Sequence, residues 1–276
     1  MKIVTVNTAK GDGRYACRLD LLARQLRALH PDIVLLQEAL SMCDRALSTA
    51  AHLGAALEMH VTPVPARRKP RLVDGRELWS DSGLAILTCH PLLDATIRAL
   101  PWSPADGERI AQIGLVYHPT GPVLIVNLHL THLGDGASLR TAQLDTILRH
   151  PWLGGRASAR LLCGDFNAAL DDPELRSLVD GSRGWDVRDS YTAGGGSLPR
   201  HTIDPRAALH GGTTRARCIG YIFSLAPTPA EHPGFAESAI VLDQPDPLSG
   251  IYPSDHFGVM TTLLFEPSGA RSHRDD

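Results

Sequence analysis

The sequence predicts an α/β fold, α+β in the broad sense, on three observations. Short apolar runs of strand character recur along the chain and end abruptly in polar side chains. Between several of them, apolar residues repeat at three- and four-residue spacing, the period of an amphipathic helix. Proline and glycine clusters fall where turns are needed. At 276 residues, 43% of them hydrophobic, the chain can bury a sizeable core, and no break in the pattern marks a linker. A single domain over residues 1–266 is expected, with a flexible polar tail at 267–276.

Charge and cysteine usage narrow the classes. A formal net charge of -3 excludes a protein whose whole surface grips a polyanion, while leaving room for a local basic patch. Cys17, Cys43, Cys89, Cys163 and Cys218 are scattered and never stand in Cys-x-x-Cys spacing, so neither a disulfide framework nor a zinc cluster is indicated. No long apolar segment suggests a signal peptide or a membrane span, and a cytoplasmic monomer is expected.

The elements follow in order. Residues 3–6 form a strand that ends at Asn7, followed by a loop with Gly11 and Gly13. Leu19, Leu22, Ala23, Leu26 and Leu29 give residues 16–29 the stripe of a helix, which Pro31 ends. Residues 33–36 are continuously apolar, as a strand buried on both faces must be, and run directly into Gln37 and Glu38. Ser41 with Asp44 three residues on has the form of a capping box, and Leu47, Leu53 and Leu57 would be the buried stripe of the helix it starts. Residues 63–80 interleave Pro63, Pro65 and Pro70 with Arg67, Arg68, Lys69, Arg71 and Arg76. This stretch reads as an exposed loop, with Arg68 as its candidate phosphate contact.

A strand over residues 83–87 follows Asp81 and Ser82, and residues 110–117 and 123–130 pair as a hairpin through His118-Pro-Thr-Gly-Pro122. On the second of these strands alternation puts Asn127 and His129 on one face, with His132 just beyond. A helix is expected over residues 138–148, capped by Ser138. Leu161, Leu162 and Cys163 run into Gly164 and deliver Asp165 and Asn167 to one side of an extended chain. Asp172-Pro173 begins a short helix. Residues 192–214, with Gly194 to Gly196, His201, His210, Gly211 and Gly212, read as a long loop of the kind that carries specificity. Strands are expected at 218–223 and 238–242, and Asp255 and His256 precede a closing strand at 259–265.

Four strands thus end in Asn7, Glu38, Asn127/His129 and Asp165/Asn167, and a fifth begins after Asp255/His256. If these ends converge, they form a carboxylate nest with two histidines and three amides. Oxygen ligands suit Mg2+ or Mn2+, and histidines beside such an ion can donate to, or move protons near, a phosphate ester under attack.

The blocks Asn7, Leu36-Gln-Glu38, Asn127-Leu-His129, Gly164-Asp-Phe-Asn167 and Ser254-Asp-His256 occur in the order found in the endonuclease/exonuclease/phosphatase superfamily, which the chain resembles from Asn7 to His256. The resemblance implies a four-layer α/β/β/α sandwich, two packed mixed sheets with helices outside. It also implies a Mg2+- or Mn2+-dependent phosphohydrolase whose metal-activated water attacks phosphorus, with diesters ahead of monoesters. Carried over residue by residue, Glu38 resembles the principal metal ligand, assisted by Asn7 and Asp255. Asp165 resembles the residue that orients the water, Asn167 the amide that holds the phosphate, and His129 and His256 the pair that stabilises the pentacovalent phosphorus. Asn127 and His132 are the remaining substrate-side candidates, and Asp81 is a candidate support for His129.

One departure stands out. The superfamily commonly carries Ile-Asp-Tyr where this chain has Ile219-Gly220-Tyr221, so the carboxylate that buttresses the second histidine is missing. Asp204 or a backbone carbonyl could stand in for it. Alternatively, the chain is a catalytically impaired relative that serves as a binding module. A serine-nucleophile hydrolase is excluded, because no Gly-x-Ser-x-Gly elbow is present. The substrate stays open among DNA, RNA, a lipid headgroup and a small phosphoester, although only five phenylalanines, five tyrosines and four tryptophans argue against a general single-strand stacking surface.

Overall fold

The structure, a computed structural model, describes residues 1–42, 47–73, 75–209, 215–227 and 231–265. In chain order its elements are β1 (Lys2–Asn7), α1 (Tyr15–Leu29), β2 (Ile33–Met42), α2 (Thr49–Leu57), β3 (His60–Val64), β4 (Lys69–Val73) and β5 (Arg76–Thr88). There follow β6 (Asp94–Ser103), β7 (Gly107–Val116), β8 (Val123–His129), α3 (Ala137–Leu148), β9 (Ala159–Asp165) and α4 (Pro173–Val179). The last are β10 (Asp186–Asp189), α5 (Ser190–Ala193), β11 (Gly220–Ala226), β12 (Gly234–Val241) and β13 (Gly258–Leu264).

Continuous apolar strands need cover on both faces, and two stacked sheets with outer helices supply it. Among the described residues one sheet runs β12-β13-β1-β2-β5-β3, with β4 also on β5, and the other runs β10-β11-β9-β8-β7-β6. Between them Ile3, Ile33, Leu35 and Ile86 meet Ile125, Leu161, Cys163 and Ile222. On the outer face of the first sheet, Val34 and Leu36 pack under Leu22 and Leu26 of α1 and Leu53 of α2. On the outer face of the second, Leu124, Val126 and Leu162 pack under Leu144 and Ile147 of α3 and Leu175 of α4. This is the four-layer sandwich that the resemblance implies.

Both sheets are mixed. β1 pairs with β2, and β8 with β9, in parallel, so each pair sends its carboxyl ends to one edge, where ligands of such sheets bind. The sheets are also stitched together by amides. Asn127 Nδ2 on β8 donates to the Leu36 and Ala85 carbonyls of the opposite sheet, and its Oδ1 accepts from Gln37 Nε2 at 2.8 Å. Asn127→Leu takes a donor from the buried Leu36 and Ala85 carbonyls, while Gln37 Nε2 keeps Thr5 Oγ1 and the Leu35 carbonyl, and should lower stability by about 2 kcal/mol. Denaturant unfolding measures this, and a loss below about 1 kcal/mol would contradict the stitch.

Several local expectations need correction. β2 does not stop at Leu36 but continues through Met42, with a register shift between Leu36 and Ala39. The helix after it therefore starts later than Ser41: Ser48 is its cap, accepting from Ala51 N, and Leu47 lies before it and is exposed. Asp44, the other half of the expected capping box, lies outside the described residues, as do Cys43, His210, Gly211, Gly212 and the tail. Residues 63–80 are a loop only at 65–68. They contain β4 and the start of β5, an arginine-rich hairpin whose Arg71 and Val73 turn inward while Pro70 and Leu72 stay exposed. Prolines suggested a loop, but edge strands tolerate them because an edge residue need not donate to a ladder. Gly136, not Ser138, caps α3. β6 and β10 were not legible in the pattern, since both are edge strands with mostly exposed residues. Among the described residues no helix is long and apolar enough to cross a membrane.

Candidate active site

The carboxyl ends of the parallel strands bring the polar residues together. Asn7 ends β1, Glu38 stands at the bulge of β2, His129 ends β8 and Asp165 ends β9. These residues line one pocket with His132, Asn167, Asp255 and His256. The bulge explains Glu38: its backbone takes φ 53°, so its side chain leaves the alternation of the strand and turns to the pocket. Gly164 explains the turn of β9. Its φ is 135°, and a Cβ there would stand 2.1 Å from the Leu128 carbonyl oxygen, so the neighbouring strands could not close on Asp165 with any other residue.

Asp165 is buried and collects the site. Its Oδ2 accepts from Asn7 Nδ2 at 3.0 Å and lies 3.6 Å from His129 Nε2 and 3.7 Å from His256 Nδ1. Its Oδ1 accepts from the Asn167 backbone N–H at 2.9 Å, while Asn167 Nδ2 donates to the Leu130 carbonyl. The two ring contacts are longer than hydrogen bonds. The carboxylate can therefore still engage a molecule placed between the rings. Burial, and then the positive charges of Arg109, His256, Lys10 and Arg67, push the pKa of His129 well below the usual range. His129 is thus a neutral ring at neutral pH.

Two loops are held by one buried cation, Arg18 of α1. Its guanidinium donates to the carbonyls of Thr8, Ala9, Lys10 and Asp12, and to that of Pro253. Ser254 continues the connection, its hydroxyl donating to the Asn7 carbonyl at 2.6 Å and accepting from the His256 N–H. Asp255 and His256 are in this way fixed to the end of β1.

The donor set suits a hard divalent ion. Lys10 Nζ lies 3.0 Å from Glu38 Oε2, so a cation already sits on this carboxylate. Among the described residues no three of His, Cys, Asp and Glu form a ready-made ligand group. One carboxylate with an amide oxygen, and with the remaining positions left to water and substrate oxygens, is the way Mg2+ is ordinarily held.

Some expected residues stand elsewhere. Asn127 is fully buried in its inter-sheet stitch, with both amide hydrogens spent on carbonyls, and has no donor left for a phosphate. Arg68 is paired through both Nε and a terminal nitrogen with Asp81, and these two line a different cleft. Asp81 is accordingly not beside His129. Asp204 accepts from Arg206 and is no replacement carboxylate for His256. Conversely, Arg67, Lys69, Arg71 and Lys10 line the pocket. Their signal was the basic run at 67–76, but which of its members face the site depends on the hairpin. Asp106 and Arg109, which support His132, gave no signal in the sequence beyond their opposite charge.

With this geometry in view, one family is matched at the level of sequence. The family model described as "Endonuclease/Exonuclease/phosphatase family" matches residues 4–256. No curated protein matches by sequence. Among solved structures, a functionally unknown conserved protein from Enterococcus faecalis V583 is 23% identical over 96% of this chain and 100% of its own, with a TM-score of 0.70. An endonuclease/exonuclease/phosphatase family protein from Leptotrichia buccalis is 19% identical over 96% and 100%, TM-score 0.70. TDP2 of D. rerio, complexed with single strand DNA product, is 20% identical over 96% and 99%, TM-score 0.71. At these identities the structural likeness speaks to the fold.

Proposed function

Because the chain belongs to the endonuclease/exonuclease/phosphatase family, we propose that it is a divalent-metal-dependent phosphoester hydrolase that prefers diesters to monoesters. The observation that carries this reading is Asp165, which gathers Asn7 and both histidines in the pocket that Glu38 also lines.

Glu38, with Asn7 and Asp255, would hold Mg2+ or Mn2+, which when bound neutralises charge on the phosphoryl oxygens. Asp165 orients the attacking water and takes its proton. The neutral ring of His129 donates one hydrogen bond to a phosphoryl oxygen, and His256 donates from the other side. Asn167 spends one amide hydrogen on Leu130 and keeps the second for the phosphate. His132, exposed at the rim, completes the substrate side. The single strand DNA product in D. rerio TDP2 makes nucleic acid the first substrate to try here.

Hydrolysis of bis(p-nitrophenyl) phosphate beside p-nitrophenyl phosphate, with Mg2+ or Mn2+, tests the preference. Faster turnover of the diester is expected; a protein that cleaves only the monoester would overturn that part of the reading.

Gly220 favours a second reading, a binding module with a retired site. Its Cα is the register partner of Asp165, and a Cβ there would meet Thr202 at no less than 3.5 Å, an ordinary contact that leaves room for a β-carbon. Gly220→Asp should therefore fold, give His256 a carboxylate partner and raise kcat, by about 10-fold if the missing buttress limits the rate. An unchanged rate would mean that orientation of His256 is already secured.

A further inference from the structure

The sheet that holds β8 and β9 ends in an open edge. Its last strand, β6, bonds to β7 on one side, and among the described residues no strand covers the other. Backbone groups alternate in direction across an antiparallel ladder. The Ala95 N–H is held by its own neighbour, Asp94 Oδ1, at 2.8 Å, so it belongs to the set that faces away from β7, with the backbone groups of Ile97 and Ala99. A row of such groups is a template for another strand.

The same edge carries uncovered apolar surface. Ala95, Ile97 and Ala99 stand opposite Gly114, Gln112 and Ile110 of β7, on the face turned toward the other sheet. That sheet does not reach over them. Gln112 Nε2 still donates to the Thr62 carbonyl of β3 at 2.7 Å, but Ile97, one strand further out, is 52% exposed, and Leu93, just before the strand, is 57% exposed.

Charge selects what fits there. On the outer face Asp94 and Arg98 are exposed, opposite in sign and placed symmetrically about Thr96. Any charge shields an edge, but this arrangement is complementary to itself. Let two copies of β6 meet antiparallel about a two-fold axis through Thr96. Each Asp94 then faces the Arg98 of the other copy, each Ala95 faces Ile97, and Thr96 faces Thr96. Ala95 and Ile97 exchange both ladder bonds, and the Asp94 carboxylate, released from the Ala95 N–H, is free for the guanidinium. An axis through Ile97 instead sets Asp94 against the buried Leu100 and Arg98 against Thr96, and both ion pairs are lost.

We propose that β6 is the docking edge for a second copy of this chain, paired antiparallel about Thr96 into one continuous sheet, in place of the monomer expected from the sequence. β6 contributes no residue to the strand-end pocket, so the dimer is independent of the hydrolase reading.

Sedimentation velocity across roughly 1–200 μM reads the association. Wild type should pass from monomer to dimer within that range. Arg98→Asp and Asp94→Arg each set like charges against one another at both ends of the pairing and should weaken the dimer about 10-fold or more. An equimolar mixture of the two variants restores both ion pairs in the mixed dimer and should associate as wild type does. The double variant that carries both reversals should do the same. Both side chains are exposed, so the fold should survive these changes. Ala95→Pro, which removes an outward N–H that β7 does not use, gives a further variant that should stay monomeric. Wild type that remains monomeric throughout, or a dimer that neither reversal weakens, would overturn the proposal. A loss that the mixture does not recover would overturn it as well.

Discussion

Glu38→Gln is expected to remove Mg2+- and Mn2+-dependent turnover down to background while leaving the fold intact. The substitution keeps the size of the side chain and removes its charge, which is what a divalent ion needs and what Lys10 now neutralises at 3.0 Å. The stability lost with that pair is expected to be small, about 1 kcal/mol or less, because Lys10 and Glu38 are both partly open to solvent. Affinity for Mg2+ in calorimetry should fall together with the rate. A variant of wild-type activity would remove Glu38 from the metal assignment, and with it the reason for a glutamate at a strained backbone position in a strand bulge.

Asp165→Asn is expected to cut kcat by about 10²- to 10⁴-fold, the range for removing a positioned acid–base group. It also disturbs its surroundings in a definite way. With Oδ1 still accepting from the Asn167 N–H, the new amide nitrogen faces Asn7 Nδ2, donor against donor. Turning Asn7 over would relieve this but would lose its Oδ1 as the acceptor for the Ala9 N–H. The variant should therefore lose about 1–2 kcal/mol of stability as well. Rates measured well below its Tm separate the two effects, and a kcat within about threefold of wild type would take the acid–base role away from Asp165.

Much of this site was legible in the sequence because strand ends are punctuated sharply. A continuous apolar run that stops at Asn7, His129 or Asp165 announces a buried strand ending in polar groups, and the order of the blocks supplied the rest. The four-layer architecture came from the resemblance, since periodicity alone does not say how two sheets stack. What was not legible depended on pairing. Nothing local distinguishes Arg68, tied to Asp81, from Arg67 and Lys69, which line the pocket; the fold of the β4–β5 hairpin decides it. Asn127 shows the same limit from the other side. Alternation correctly places it on the face of His129, but only the opposite sheet, packed 90 residues away in sequence at Gln37, turns that amide into a stitch. The continuation of β2 to Met42 was hidden for a related reason, because a bulge interrupts the alternation by which a strand is recognised.

The most direct measurement is the rate of bis(p-nitrophenyl) phosphate hydrolysis by wild type during titration with Mg2+ and then with EDTA, beside Asp165→Asn in the same buffer. The rate should rise to saturation with Mg2+, fall to background with EDTA and be absent or nearly so in the variant at every concentration. Hydrolysis that survives EDTA, or that Asp165→Asn carries out as fast as wild type, would contradict a metal-dependent centre built on Asp165.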